Sequence, residues 1–480
     1  MISFFISIGV LVLGYFVYGK IVERVFGVNP ERETPATRLV DGVDFMVLPT
    51  WKVFLIQFLN IAGLGPIFGA IAGAMFGPSA FLWIVLGSIF AGGVHDYFSG
   101  MLSVRHDGLS ISEIVGVYLG NNAKHIMRLF TIILLIFVGS VFLMGPAKII
   151  DGMTGVSWGV WGWVSIILVY YILSTLLPMD KLISKLYPVF GVAMLLMAVG
   201  LLLALIFGDY HIPEIIPSNL YNMKTNPEET PLFPILFVTI ACGAISGFHA
   251  TQSPLMARCM KNENIGRKIF YGTMITEGVV TLIWAAAAMV FFKDVNGLNE
   301  AMIANNNNAA WAANEISMNM LGGVGGILAL LGIVAAPITS GDTAFRSARL
   351  IIADIFKINQ KKFKNRLYVS IPLFIIAFLL TQIDFAIIWR YFAWSNQALA
   401  TIVLWTITAY LFYENKTYYI TLLPAIFMTL VCSTYILVAP EGFKLATPIA
   451  YMGGFVFTAI AVFLFFLKMN RYRKAQLESI

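Results

Sequence analysis

Charged side chains are scarce in this 480-residue chain. Asp, Glu, Lys and Arg make up 12% of it, whereas soluble domains contain roughly a quarter. Hydrophobic residues make up 59%, and the mean hydropathy is +0.84. This composition excludes an ordinary soluble protein and predicts a chain whose main solvent is lipid.

Several other features are missing. The three cysteines, Cys242, Cys259 and Cys432, form no CxxC spacing and are interpreted as reduced packing residues. Neither HExxH nor a Walker A sequence is present, so we predict no enzyme activity, no metal site and no ATP hydrolysis by the chain. The net charge of +6 is spread over short loops, which excludes nucleic acid as a partner.

Long apolar runs dominate instead. A helix needs roughly 20 apolar residues to cross the hydrocarbon of a bilayer. Thirteen runs meet this need: 2–20, 53–77, 80–103, 129–147, 158–178, 186–208, 232–256, 269–292, 321–345, 367–383, 384–411, 417–438 and 446–467. No small-residue cleavage site follows the first, so we interpret it as a span and not as a signal peptide. We predict an all-α polytopic membrane protein with about 13 transmembrane helices.

The distribution of basic residues predicts the orientation. Positive residues in short loops stay on the cytoplasmic side. Loops after odd-numbered spans, with the C-terminal tail and Lys20, hold 26 of the 31 Lys and Arg, including five between 357 and 366. The other side holds four, and Arg390 is placed inside a span. The N-terminus is therefore predicted outside and the C-terminus in the cytoplasm. The outer loops 209–231 and 293–320 are expected to hold short helices or caps.

Two spans are interrupted by Gly, Pro and polar residues, over Asn60–Pro66 in the second and Gly243–Pro254 in the seventh. Such interruptions survive in a membrane where they line a protein cavity. These two spans run in opposite directions, five spans apart, which predicts an inverted repeat of five helices, the pattern of secondary transporters. The alternative is that the Gly and Pro residues only form kinks or close-packed faces.

This repeat divides the chain into five predicted parts. These are a leading helix and loop (1–50), repeat one (51–208), an outer loop (209–231), repeat two (232–411), and two trailing helices with a basic tail (412–480). Polar segments also interrupt the ninth span, over Ala336–Arg346, and the eleventh, over Arg390–Gln397. Both segments are expected to face the interior of the bundle.

The chain resembles the carbon starvation protein A family, CstA. The matching segments are Asp41–Phe45, Ala91–Asp96, Ser103–Gly108, Gly247–Arg258, Ser340–Leu350 and Arg390–Gln397. The resemblance implies an inner-membrane transporter associated with nutrient limitation, with peptides as the usual substrates and pyruvate for some members. It also implies the five-plus-five, LeuT-like arrangement of the amino acid, polyamine and organocation transporters. His95 departs from some members, which have glutamine there.

Substrate contacts are predicted at the interruptions. Unwound helices expose N–H groups and helix N-termini that hold an anion, and peptides and pyruvate carry a carboxylate. The predicted substrate-binding residues are Asn60, Gly63, Gly65, Gly247, His249, Thr251, Gln252, Ser253, Trp394 and Asn396.

Ionisable residues inside spans are the predicted coupling groups. Asp96 and Glu277 each lie in the second helix of a repeat, where a carboxylate can form an ion pair, bind a cation or take a proton during transport. The alternative is that each carboxylate only forms a structural ion pair or hydrogen bond. His249 is a candidate for substrate contact or for carrying a proton. A LeuT-like sodium site would lie near Ala62 and Thr339–Thr343, with Thr339, Ser340 and Thr343 as ligands, while a proton on Asp342, Asp96 or Glu277 competes with it.

These features together predict a secondary active transporter that imports peptides or related small carboxylates by alternating access, coupled to Na⁺ or H⁺. A pyruvate, other monocarboxylate or amino acid carrier of the same fold is the alternative. A channel would need a continuous polar pathway and a receptor would need a signalling domain, so both are disfavoured. The predicted partners are the substrate and the lipid bilayer, and the sequence makes no prediction of oligomeric state.

Overall fold

The computed structural model describes residues 1–41, 45–175, 179–360 and 362–478, including their side chains except those of residues 179–186, 324 and 472–478. Three predictions fall partly outside that part of the chain. They concern residues 42–44 of the first family motif, the last three residues of the fifth predicted span, and Lys361 of the basic loop.

The regular structure of the described residues is helical throughout. Short single turns aside, the helices in chain order are α1 Ile2–Phe26, α2 Thr50–Ile61, α3 Gly65–Ala74, α4 Ser79–Arg105, α5 Ile111–Leu119, α6 Asn121–Thr154, α7 Gly159–Ser174, α8 Met179–Phe207, α9 Leu232–Thr239, α10 Gly247–Ala257, α11 Glu263–Phe291, α12 Val295–Ala304, α13 Ala309–Ala329, α14 Ala336–Phe356, α15 Phe363–Leu380, α16 Phe385–Tyr413, α17 Tyr419–Val438 and α18 Thr447–Glu478.

Many of these helices are long and apolar enough to cross a membrane. In the described ranges nine pass that test, or ten if the bent pair α2 and α3 forms one span. Helix α7 is apolar but has only 16 residues, and α16 and the separated pair α9 and α10 are not among the nine. The chain is therefore a multi-pass membrane protein, and the count of thirteen stays a prediction.

The ninth predicted span is shifted along the chain. It was expected over 321–345, but the apolar helix runs from Gly325 to Phe356. Gly322 has a φ of 61°, a left-handed conformation that glycine adopts readily, and it bends the chain before the helix. The helix continues past Arg346 because that side chain and Arg349 are buried and donate to the carbonyl oxygens at the end of α7.

Two ends of the bundle hold different loops. The Met1 ammonium lies 2.5 Å from Glu214, and Asn299 donates to the carbonyl oxygens of Met75 and Met223. The chain start and both predicted outer loops thus share one end, which we call the N-terminal face. The outer loops hold α12 and a single turn at Pro217–Asn219, as expected.

The opposite end, which we call the basic face, is closed by a polar network. Arg105 donates to Glu263 at 3.2 Å, to the Tyr410 hydroxyl at 3.2 Å and to the Gly27 carbonyl at 2.6 Å. Helix α4 leads from one end to the other, since 27 helical residues span roughly 40 Å. The loops that the charge count separates therefore lie at opposite ends.

Four segments have π-helical geometry: Gly65–Gly69 at the start of α3, Gly87–Gly92 in α4, Arg267–Tyr271 in α11, and Leu330–Ala335 before α14. A π-helical turn widens a helix locally and occurs frequently at functional sites. Each of these segments lies within about two turns of residues that the sequence singles out, namely Asn60, Asp96, Glu277 and Thr339.

Candidate functional site

Two interruptions are present and lie against each other, but the second is displaced from the predicted segment Gly243–Pro254. Gly247–Ala257 is helical because its first N–H groups find acceptors, so the break lies earlier in the chain. Helices α2 and α3 meet at a 54° bend, and residues 240–246 separate α9 from α10. A Cβ atom on Gly65 would lie 2.2 Å from Cys242 Cβ, and one on Gly73 would lie 2.3 Å from Ile240. Real Cβ contacts are never this short, so glycine is required on α3 where Gly65 and Gly73 contact the second interruption. Gly63 lies against the Phe142 ring in the same region.

A chain of ionisable side chains lies buried beside this contact. His95 Nδ1 is 2.8 Å from Asp96 Oδ1, and Asp96 Oδ2 is 2.8 Å from His249 Nδ1. His249 Nε2 is in turn 3.4 Å from Glu277 Oε2. All four side chains are 0% exposed. We call them the His–Asp–His–Glu cluster, and they join α4, α10 and α11.

The local sequence explains how the cluster forms. His95 and Asp96 follow the π-helical segment of α4, and Glu277 follows the one in α11. His249 lies in the first turn of α10, directly after the interruption. The structure thus brings together Asp96, His249 and Glu277, which the sequence nominated separately, with His95, whose role the sequence left open. Among the described residues, no three potential ligands converge on a point where a metal ion would bind.

The protonation states of the cluster are coupled. Two ionised carboxylates with two neutral imidazoles would bury two negative charges, and low-polarity surroundings make each uncompensated charge costly. A proton on either histidine or on Glu277 reduces that net charge. No hydrogen bond holds the Glu277 oxygens or His95 Nε2, so these atoms have spare capacity for a proton or a polar ligand. The arrangement can hold a proton and pass it between helices.

Asn396 of α16 stabilises the seventh-span interruption. Its Oδ1 accepts from the Phe248 N–H at 2.7 Å and from Ser246 Oγ at 3.1 Å, which satisfies the start of α10. A Cβ on Gly247 would lie 2.5 Å from the Asn396 carbonyl oxygen. The prediction that these groups hold a substrate carboxylate is therefore weakened: Asn396 occupies a donor at this helix N-terminus, and Gly247 packs against α16.

Unpartnered amides lie on α2. Asn60 is 1% exposed, Gln57 is 0% exposed, and no amide atom of either has a hydrogen-bond partner. Gln252 Oε1 on α10 is also buried without a partner, and α2 packs against α10. Buried polar groups normally find partners, so these amides are suited to a polar ligand. Gln57 was missed from the sequence, although its spacing of three from Asn60 places both on one helix face.

Two helices that contribute to the predicted sodium region contact each other. Ser340 Oγ donates to the Leu59 carbonyl at 3.1 Å, so α14 and α2 do meet there, close to Ala62. Thr339 and Thr343 donate to carbonyl oxygens of their own helix. Asp342 lies apart from these contacts, with its carboxylate 3.8 Å from Arg346.

Several other predicted residues make local contacts. Trp394 donates to the Cys432 carbonyl of α17 at 3.0 Å and does not contact the cluster. Thr251 and Ser253 donate to carbonyl oxygens within α10. Arg390, placed inside a span by the sequence, is 42% exposed and forms an ion pair with Glu441 at 3.1 Å on the N-terminal face. Its position in the second turn of α16 lets its long side chain reach that face.

A cavity of about 340 Å³ opens on the N-terminal face. Phe68 of α3 and Val238 and Thr239 of α9 line it, and these residues adjoin the two interruptions. Trp389 and Phe385 of α16 supply an aromatic wall, and the charged lining residues are Lys224, Glu229, Arg390 and Glu441. A chamber with an apolar wall and a few charged groups is typical of a small-molecule site.

Several solved structures have a similar fold. The manganese transporter of Eremococcus coleocola, in complex with an aromatic bis-isothiourea compound, aligns with a TM-score of 0.57 at 14% identity, over 90% of this chain and 99% of that one. MhsT in complex with L-phenylalanine aligns with a TM-score of 0.55 at 13% identity, over 89% and 100%. At such identities the likeness shows the fold alone, which is LeuT-like.

The sequence comparisons define the family. A profile of the carbon starvation protein CstA family matches residues 1–199 and 154–384, so the chain belongs to that family. An uncharacterized membrane protein of Haemophilus influenzae is 44% identical over 354 residues, which is 63% of this chain and 95% of that protein. The peptide transporter CstA of Bacillus subtilis is 24% identical over 82% of each chain, and that of Escherichia coli is 25% identical over 59% of this chain and 49% of its own. The chain is thus related to membrane transporters.

Proposed function

We propose that this protein is a secondary active transporter that imports peptides across the cytoplasmic membrane by alternating access, coupled to protons. The observation that carries the proposal is the His–Asp–His–Glu cluster, buried beside two touching helix interruptions. A transporter needs a substrate site that two helical units can expose in turn, and a coupling group whose charge depends on which side is open. The interruptions supply the first and the cluster supplies the second.

Peptide transport is supported by the relatives. Those of Bacillus subtilis and Escherichia coli are named peptide transporters, and the chain belongs to the same family. The cavity volume of about 340 Å³ lies in the range of small-molecule sites, roughly 300–1,000 Å³. Its lining combines both signs of charge with aromatic surface, which suits a short zwitterionic peptide. In keeping with the family, we expect import under nutrient limitation.

The proposed topology has thirteen spans, with α1 leading, two inverted sets of five, and two trailing helices. It places the N-terminal face outside the cell and the basic face in the cytoplasm. In this arrangement the cavity opens outward, while the Arg105 and Glu263 network closes the inner side. The chain thus has the geometry of a state that receives substrate from outside.

The position of the cluster supports proton coupling. His249 is on α10, next to the seventh-span interruption, and both of its partners are on the second helices of the two proposed repeats. A shift of α10 on substrate binding would change the distances from His249 to Asp96 and to Glu277, and with them the preferred place for the proton. Substrate and proton would then move together.

Sodium coupling is the second candidate, and one contact favours it. Ser340 Oγ and the Leu59 carbonyl lie 3.1 Å apart, so a hydroxyl of α14 and a freed backbone oxygen of α2 meet beside the bend. Hydroxyl and carbonyl oxygens are suited to a small hard cation. Proton coupling and sodium coupling would use different residues and would require different ion gradients.

Reconstituted protein separates these possibilities. We expect dialanine uptake into proteoliposomes with an inward proton gradient and no sodium, and no accumulation with a sodium gradient alone. His249→Asn should abolish gradient-driven accumulation, while His211→Asn, a change in the 209–231 loop, should behave like the wild type. Uptake that follows the sodium gradient and is insensitive to the proton gradient would overturn proton coupling. Uptake of no dipeptide would overturn the peptide proposal.

A further inference from the structure

One cation that lines the cavity on the N-terminal face, Lys224, forms no ion pair with a described carboxylate. Lys224 is partly buried, and its backbone N–H is fixed by Asn222 Oδ1 at 3.1 Å. The Lys224 ammonium lies 5.0 Å from the centre of the Phe76 ring, a contact worth far less than an ion pair with a carboxylate. Among the described residues no carboxylate lies within ion-pair distance of it.

The other charges around the cavity do not compensate for Lys224. Arg390 and Glu441 neutralise each other at 3.1 Å, and Tyr435 donates a second hydrogen bond to Glu441. Glu229 also lines the cavity, but its side chain is exposed. Burial, and in second place the charge of Arg390, lower the pKa of the Lys224 ammonium. An anion bound beside Lys224 would offset the cost of burying its ammonium.

The site predicted from the sequence offers less to an anion. The carboxylate was expected at the start of α10, where Asn396 already accepts from the Phe248 N–H. The cavity, by contrast, adjoins both interruptions through Phe68, Val238 and Thr239, and the Lys224 ammonium, which forms no ion pair with a described carboxylate, also lines it. An anionic group bound there would remain next to the moving helices.

We propose that Lys224 is the counter-ion for the carboxylate end of the substrate in this cavity, with the aromatic wall of Phe68, Phe385 and Trp389 packing against the rest of the molecule. The inference rests on the proposed transport function and deepens it, because it locates the end of the substrate that is recognised. Recognition by Lys224 requires a free carboxylate on the substrate and tolerates variation in the side chains of the substrate.

The test compares three ligands on purified, reconstituted protein. Dialanine, dialanine amide and pyruvate are measured for binding by calorimetry and for uptake, with wild type, Lys224→Met, Lys224→Arg and the control Lys293→Met, an exposed lysine on the same face. A charge-assisted hydrogen bond lost from a buried site weakens affinity by roughly 10- to 100-fold. We expect wild type to prefer dialanine over its amide, Lys224→Met to lose that preference by weakening dialanine alone, and Lys224→Arg and Lys293→Met to keep it.

The possible results distinguish a failure of the proposed role of Lys224 from a failure of the proposed transport function. If pyruvate alone binds and Lys224→Met weakens it, the counter-ion role stands and the peptide proposal fails. If dialanine is taken up but Lys224→Met binds it like the wild type, the inference is overturned and the transport proposal stands. If no carboxylate binds to the wild type, both are overturned. Unchanged melting midpoints of all variants ensure that a loss reports on binding.

Discussion

The contact between the two helix interruptions leads to a specific prediction for Gly65→Ala. The added methyl carbon would lie 2.2 Å from Cys242 Cβ and 2.5 Å from its Sγ. Carbon atoms pack at roughly 3.5–4.0 Å, so the interruptions must separate by about 1.3–1.8 Å. Overpacking of this kind costs roughly 1–3 kcal/mol in a well-packed core. The bilayer-spanning helices on either side limit how far the interruptions can separate.

The functional effect should exceed the loss of stability. A displacement of about 1 Å at a working site can reduce a rate by roughly 100-fold. We therefore expect Gly65→Ala to reduce dialanine uptake by about 10- to 100-fold while the protein still folds, as seen in its melting midpoint and its elution as a single species.

A second substitution tests whether the clash with Cys242 causes the loss of uptake. Cys242→Gly removes both clashing atoms, so the double variant Gly65→Ala, Cys242→Gly should recover most of the lost uptake. The recovery should be incomplete, since Asn396 Nδ2 also donates to Cys242 Sγ at 3.3 Å. Gly9→Ala is the matched control, because a Cβ there meets nothing within 4 Å. If Gly65→Ala transports like Gly9→Ala, the interruptions do not form the contact on which this reasoning depends.

Three further predictions concern stability and closure. Asn396→Ala removes the side chain that caps α10, so it should lower the stability of the protein by about 1 kcal/mol and slow uptake, as measured by melting and transport. The control Asn319→Ala changes an exposed helix surface and should affect neither stability nor uptake. Glu263→Gln should loosen the Arg105 network and increase hydrogen–deuterium exchange at the end of α4, with exchange on the N-terminal face unchanged. For Glu113, burial acts to raise the pKa, but hydrogen bonds from Lys124 and Arg128 outweigh it and lower the pKa below the ordinary 4.5. Its ionised form therefore stabilises the fold above that pH, so Glu113→Gln should lower the melting midpoint near neutral pH and have a smaller effect at about pH 4.

Each of these three has an outcome that would contradict it. Asn396→Ala with wild-type melting and uptake would mean that the α10 start needs no side-chain cap. Unchanged exchange at the end of α4 in Glu263→Gln would show that the network does not close the basic face. A melting difference for Glu113→Gln that persists unchanged in acid would mean that its ionised form contributes nothing.

Residue chemistry predicted where the first interruption lies, but it placed the second one too late in the chain, since Gly247–Pro254 is helical despite its polar residues and Pro254. The same reasoning nominated Asp96, His249 and Glu277, since ionisable groups in lipid-crossing helices are costly. Their spacing in the sequence did not predict that these three side chains would contact one another. They lie on three helices, and contact between them depends on how far each helix is rotated about its axis, which follows from packing throughout the bundle.

Other features depend on contacts that a sequence does not display. Asn396 was expected to bind substrate, but it caps a helix that lies about 150 residues earlier in the chain. Trp394, five residues after Trp389 on α16, points in another direction and faces α17, not the cavity. Lys224 is in a loop, where a lysine is normally solvated, and only the fold shows that it lines a cavity. Loop residues brought together by tertiary structure are the least predictable part of such a site.

The central claim is that the His–Asp–His–Glu cluster couples proton movement to transport, and Glu277→Gln tests it most directly. Glutamine has the shape of glutamate but holds no exchangeable charge, and neither Glu277 oxygen has a hydrogen bond to lose. Dialanine exchange at equal pH and dialanine accumulation driven by a proton gradient are measured on the same proteoliposomes, with Glu300→Gln, an exposed glutamate of α12, as the control. We predict that Glu277→Gln keeps exchange and loses accumulation. Accumulation at the wild-type level in Glu277→Gln would contradict the account.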